Sequence, residues 1–235
     1  MTTAAVSFTG GKDCTLALHR VRSQNIQVAV LVTFSPPSTD PKSFKAHSLE
    51  IIQQQAIALG IEHTVCIIDG PDYLTSYQTQ IKRLVDRYGI NTLVTGDVLP
   101  VCSDFMERAV QDTGVTLVRP LWQQSQSLLL KEMWESNFQM LITCINSTKI
   151  SADILARVEH VFEAGKLLTK EGIDAIKHQM DSISSFSPTG EYGELHTMVL
   201  DCPLYESKRL EIDHEKLHEG DFIYLKINQV RLIAK

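Results

Sequence analysis

The chain has 235 residues, enough for one large domain or for a nucleotide domain with a smaller companion. Hydrophobic residues at 43% and charged residues at 21% give the balance of an ordinary soluble globular protein rather than a disordered or membrane chain. A net charge of −6 with no basic run argues against nucleic acid as a partner. The amino terminus lacks a signal-peptide pattern and no stretch approaches the roughly 20 apolar residues of a membrane helix, so a cytoplasmic protein without a membrane partner is expected. The 5 cysteines (Cys14, Cys66, Cys102, Cys144 and Cys202) form none of the close pairs of metal or redox motifs, and reduced thiols are expected.

In chain order, short apolar runs at 4–8, 27–34, 63–68, 91–95 and 115–118 predict five strands. Between them, Leu49, Ile52, Ala56 and Leu59 repeat at helical spacing, as do Leu74, Tyr77, Ile81, Leu84 and Tyr88. The alternation predicts an α/β fold, a doubly wound parallel five-stranded sheet. Pro36, Pro37 and Pro41 make 35–43 a loop at the carboxyl edge of that sheet, where ligands bind, and a lid or ribose-side wall is expected there. After Trp122 the pattern turns to helical stretches as far as about residue 183, then to β-rich sequence. This predicts a nucleotide domain over 1–122 and a smaller α+β substrate domain over 123–235, with 140–145 open to being a sixth strand of the first sheet.

The first strand runs into Thr9-Gly10-Gly11-Lys12-Asp13-Cys14, and a helical pattern follows. Two glycines let the backbone approach an anion closely, and loop amides and the helix dipole favour negative charge there. The spacing is not that of a Walker P-loop. It resembles the SGGKDS loop of the N-type ATP pyrophosphatases, the PP-loop superfamily, with Thr9 and Cys14 in place of the two serines. The resemblance implies an adenine nucleotide alpha hydrolase-like fold and ATP bound through Thr9, Gly10, Gly11, Lys12, Asp13 and Cys14. It further implies that the loop embraces the departing pyrophosphate, Lys12 supports it and Asp13 helps hold Mg2+. Gly96, ending the fourth strand, is expected to let adenine or ribose lie against the backbone. Asp97 beside it is either a second acidic group near the metal or a helix cap.

Near the other end of the chain, Gly190-Glu191-Tyr192-Gly193-Glu194-Leu195-His196-Thr197 precedes Asp201-Cys202-Pro203-Leu204-Tyr205. A glycine before each glutamate lets both carboxylates share one side of a bent loop, and carboxylate oxygens suit Mg2+ or ammonium. Together the two motifs resemble the diphthine–ammonia ligase family across essentially the whole chain, with His47 and the Pro120-Leu121-Trp122…Gln126 stretch as further landmarks. The resemblance implies a ligase whose protein substrate is the diphthine form of translation elongation factor 2 and whose second substrate is ammonium. A homo-oligomer is compatible with the sequence.

In this reading ATP activates the substrate carboxylate as an acyl-adenylate, and Lys12, Asp13, Glu191 and Glu194 are the catalytic set. The two glutamates hold ammonium and take its proton. His47, Asp97, Glu191, Glu194, His196 and Thr197 are expected on the substrate side. Gly96-Asp97-Val98 and His196 depart from the diphthamide pattern, so a sister-branch ATP pyrophosphatase acting on another small molecule is the alternative. A non-catalytic nucleotide-binding sensor of the same fold is the reading from another class.

Overall fold

The computed structural model describes residues 2–37, 47–101, 103–180 and 186–235. Most of the proline-rich loop at 35–43, the residues 43–46 ahead of His47, and Cys102 lie outside them.

The first half alternates as its apolar runs require. Strands β1 (Thr3–Ser7), β2 (Gln27–Ser35), β3 (His63–Ile67), β4 (Thr92–Val94) and β5 (Thr116–Val118) alternate with helices α1 (Lys12–Ser23), α2 (Leu49–Leu59), α3 (Tyr73–Tyr88) and α4 (Phe105–Val110). Helix α3 shows why the elements stop where they do. Asp72 Oδ1 accepts from the Thr75 amide at 3.1 Å at its start, and Gly89 ends it at φ 64. Helix α4 is too short to give a periodic signal, and the sequence pattern does not reveal it.

All pairings in this sheet are parallel, in the order β3-β2-β1-β4-β5. The chain therefore walks outward from β1 to β3 and returns to β4 on the other side of β1. In open α/β sheets the ligand crevice lies at such a reversal, beyond the carboxyl ends of the two strands. Here those ends carry the Thr9–Cys14 segment and the Thr95-Gly96-Asp97 turn. The core against α3 is formed by Ala5, Val30, Val32, Leu93, Ile81 and Leu84, all buried.

Residues 140–145 belong to β6 (Gln139–Asn146) of a second sheet, so the option of a sixth parallel strand is not realised. A strand buried on both faces reads as a continuous apolar run in either kind of sheet, and periodicity alone does not separate the two. Helices α5 (Gln126–Glu135), α6 (Ala152–Val158) and α7 (Lys170–Met180) and strands β7 (Leu195–Asp201), β8 (Lys208–Glu219) and β9 (Phe222–Ala234) complete the chain. The second sheet is antiparallel, in the order β7-β6-β9-β8. The molecule forms two compact units. One carries the parallel sheet, and the other comprises Gly10–Lys12, the body of α2 and everything from Gln124 onward.

Cys66, Cys144 and Cys202 act as small buried hydrophobes, and burial pushes their thiols up to about 11, 11 and 12. Among the described residues no helix is long and apolar enough to cross a membrane.

Gly96 is fixed by space rather than by backbone angle. A Cβ there would lie 2.6 Å from the Cys14 nitrogen and 2.8 Å from the Asp13 carbonyl carbon, so the turn after β4 is pressed against the first turn of α1. Backbone atoms cannot swing aside as a side chain can. Gly96→Ala should therefore destabilise the protein by about 1–3 kcal/mol, the usual cost of overpacking. A denaturant midpoint equal to wild type would show that the turn has room to spare.

Candidate active site

On the parallel-sheet unit, the chain leaves β1 through Phe8, whose amide donates to Val32 O at 2.8 Å and whose carbonyl accepts from Thr33 Oγ1 at 2.7 Å. The strand end is thereby held firmly in the sheet. Thr9 Oγ1 lies 3.9 Å from Cys14 Sγ across the turn. Cys14 is only 8% exposed, so the residue standing where relatives of the loop carry serine turns its thiol inward. Asp13 sits in the first turn of α1, where a carboxylate is favoured by the helix dipole. Across the reversal, Asp97 Oδ2 accepts from Thr95 Oγ1 at 2.6 Å. It does not cap the next helix, because the residue at the N-cap of α4 is Asp104.

The other unit holds the middle of the same loop. The Gly10 carbonyl accepts from the Val199 amide at 2.9 Å and from Gln55 Nε2 at 2.9 Å. The Lys12 amide donates to Thr197 Oγ1 at 3.3 Å, and a Cβ on Gly11 would come within 3.1 Å of the Thr197 carbonyl. The loop thus lies along β7, the strand that follows the paired glutamates. Lys12 is 3% exposed, and its Nζ donates to the Thr189 carbonyl.

Thr189 opens the glutamate loop, which is wound tightly on itself. Ser187 Oγ donates to Gln126 Oε1 at 2.9 Å and accepts from the Glu191 amide at 3.1 Å. Glu194, 3% exposed, accepts from the Ser187 amide through Oε1 and from the Tyr192 amide through Oε2, both at 3.0 Å. Each of its oxygens is committed to the backbone of its own loop. The two glutamates, alike in sequence, therefore stand in different settings, and Glu191 is the more exposed of them.

His196 and His47 meet edge to face, with ring centroids 5.0 Å apart and planes at 77°. The start of α2 is bonded by Ser48, whose Oγ accepts from the Ile51 amide at 3.5 Å, so His47 is not the cap. Burial first, and the neighbouring Lys12 charge second, hold His196 below its ordinary value of 6.5.

The pattern reading did not single out Gln55, Ser187 or Thr189. Gln55 had a signal: with Ile51, Ile52, Ala56 and Leu59 it falls on the buried stripe of α2. A polar side chain at such a position must find hydrogen-bond partners inside the protein.

Residues 1–117 match the family model described as the diphthamide synthase N-terminal domain, and residues 125–233 match the diphthamide synthase C-terminal domain. The chain belongs to the diphthamide synthase family. It is thus an enzyme of the ligase type. A mouse relative named diphthine–ammonia ligase is 22% identical over 264 residues, which span 98% of this chain and 92% of its own length. A human relative of the same name is 23% identical, with the same two shares. A solved chain described as a predicted subunit of tRNA methyltransferase from Methanocaldococcus jannaschii is 16% identical. It covers 86% of this chain and 99% of its own, with a TM-score of 0.45.

The position of His196 in this diphthamide synthase family member has a consequence for pH. The unfolded chain takes up a proton on this ring near 6.5, and the folded chain only at lower pH. Between those values the unfolded state binds more protons, so stability falls as the pH drops below about 6.5 and levels off beneath the folded value. His63, lowered by burial, adds a fall of the same sign. In urea melts at about pH 7.5 and about pH 5.5, His196→Gln should lose less stability on acidification than wild type. An equal loss in both proteins would mean that the folded His196 protonates freely.

Proposed function

We propose that this chain uses ATP and ammonium to amidate the carboxylate of diphthine on translation elongation factor 2, through an acyl-adenylate, with release of AMP and pyrophosphate. The observation that carries this reading is the contact of Lys12 with Thr189: the lysine of the nucleotide loop donates to the loop that bears the paired glutamates. Two motifs from opposite ends of the chain, both expected by the family resemblance, are built against one another.

In this reading residues 1–122 bind ATP and residues 123–235 the substrate. The loop amides and Lys12 hold the β and γ phosphates and offset the charge that gathers on the leaving pyrophosphate. Thr9 supports the turn. Asp13 is of the right chemistry to hold Mg2+ in part, because that ion bound with a nucleotide takes one or two carboxylates and fills its other positions with phosphate oxygens and water. No cluster of three or more His, Cys, Asp or Glu able to hold a metal alone occurs among the described residues, and this arrangement needs none. When bound, the ion adds positive charge against the phosphates. Gly96 acts by letting the turn after β4 close on α1, and Asp97 by fixing Thr95.

The two glutamates separate in role. Glu194 shapes the loop, since both its oxygens are taken by backbone amides. Glu191, the more exposed of the two, is assigned to bind ammonium and to take a proton from it, giving the ammonia that attacks the activated carbonyl as AMP leaves. His47, His196 and Thr197 are assigned to the substrate side, with the two histidine rings in contact and Thr197 against Lys12. One observation favours a second reading: His196 stands where the diphthamide pattern has glutamate, and it is held neutral beside Lys12. A sister-branch ATP pyrophosphatase that adenylates or amidates another small molecule would suit that change.

Turnover with the diphthine protein should yield AMP and pyrophosphate, and ADP formed in step with substrate loss would refute the class of reaction. Glu191→Gln should lower ammonia-dependent AMP formation by on the order of 10²-fold with an unchanged melting curve. Glu194→Gln should instead cost about 1–3 kcal/mol of stability, because one backbone amide then faces an NH2 group. Chromatographic product analysis and melts of both variants check this, and an inert Glu191→Gln would return the loop to a purely structural role.

A further inference from the structure

Gln55 is fully buried in α2, on the apolar stripe of the helix, and belongs to neither recognised motif. Its Nε2 donates to two carbonyl oxygens, Gly10 at 2.9 Å and Val199 at 2.8 Å. The Val199 amide also donates to Gly10 O at 2.9 Å, so three groups close on one another around the first glycine of the nucleotide loop. The contact is close. Gly10 has φ 74, and a Cβ on it would lie 2.1 Å from Gln55 Oε1 and 2.7 Å from Met198 Cε. Gln55 Oε1 itself is buried without a hydrogen-bond partner among the described residues. The side chain thus keeps an orientation that satisfies its donors at the expense of its acceptor, which identifies the two donated bonds as its purpose.

The geometry has a direct consequence for the loop. A peptide unit is planar and trans, so the carbonyl of Gly10 and the N–H of Gly11 point in opposite directions within one rigid plane. A glycine at positive φ would otherwise let that plane rotate at little cost. By pinning the Gly10 oxygen towards β7, Gln55 and Val199 set the direction of the Gly11 N–H. We propose that Gln55 is a positioning residue for phosphate binding: its side-chain amide fixes the Gly10–Gly11 peptide plane, so that the loop meets a polyphosphate anion already in the binding arrangement. This inference rests on reading the Thr9–Cys14 segment as the ATP loop.

The test is direct titration of the full-length protein with MgATP, alongside steady-state KM for ammonium. Gln55→Met keeps the length and the apolar fit but removes both donors. Gln55→Glu keeps the shape and, when ionised, sets an acceptor against two carbonyls. The Kd for MgATP should rise about tenfold in Gln55→Met and further in Gln55→Glu, the scale of one or two lost hydrogen bonds in a buried site. KM for ammonium should not move in either. Titrations are run at a temperature where circular dichroism shows each variant folded, so a lowered melting point does not obscure the result. A wild-type Kd in the folded Gln55→Met protein overturns the inference, as does an equal rise in ATP Kd and ammonium KM, which would mark general loosening. If wild type itself fails to bind MgATP, the nucleotide reading falls and takes this one with it.

Discussion

The Gly10 carbonyl oxygen accepts one hydrogen bond from the backbone of β7 and one from a helix side chain, at 2.9 Å each. Through it the glycine-rich turn, which in sequence belongs to the first strand and helix, is tied to a strand near the carboxyl end of the chain. A Gly-Gly turn alone has too much conformational freedom to present several amides to an anion without a large ordering cost. Anchoring one carbonyl in a buried hydrogen-bond cluster restricts that freedom. Much of the remaining site follows from this attachment: Lys12 is carried onto Thr197 and Thr189, and the glutamate loop must be compact enough to offer the Thr189 carbonyl.

Electrostatics reinforces the arrangement. Lys12 is nearly removed from water, which is costly for an ammonium unless strong acceptors replace its hydration. The Thr189 carbonyl is one such acceptor, and an anion in the loop would be a better one. Burial and the Lys12 charge lower the basicity of His196, which disfavours a second positive charge beside Lys12. The glutamate loop solves the opposite problem, because the buried Glu194 carboxylate is stabilised by two backbone N–H groups rather than by a cation. Lys12 and Glu194, the buried cation and the buried anion, are thus each met by backbone groups of the same loop.

The sequence is informative where one physical rule dominates. Buried parallel strands exclude polar residues, so β1 to β5 stand out as apolar runs, and the strand–turn–helix around Gly10 and Gly11 is legible for the same reason. The second sheet is less so, since β6 reads as an apolar run in either sheet type. Roles that depend on hydrogen-bond direction are not visible in a pattern. Glu191 and Glu194 both follow a glycine, and only the folded loop reveals that one is turned inward. Gly96 invites a ligand-contact reading from its place at a strand end, whereas the space beside it is filled by Cys14 and Asp13 of the same unit. Gln55 is legible in retrospect as a polar residue on a buried helix face, but its partners lie 45 and 144 positions away in the sequence.

The claim on which the account stands is that β7 holds the nucleotide loop, so a residue of that strand must matter for binding ATP itself. Thr197→Val removes the oxygen that accepts from the Lys12 amide while keeping the volume and the strand propensity. Calorimetric titration with MgATP should give a Kd raised about tenfold, the value of one buried hydrogen bond. A wild-type Kd for MgATP in this variant, with only the amide-forming step impaired, would contradict the account and leave Thr197 as a substrate contact alone.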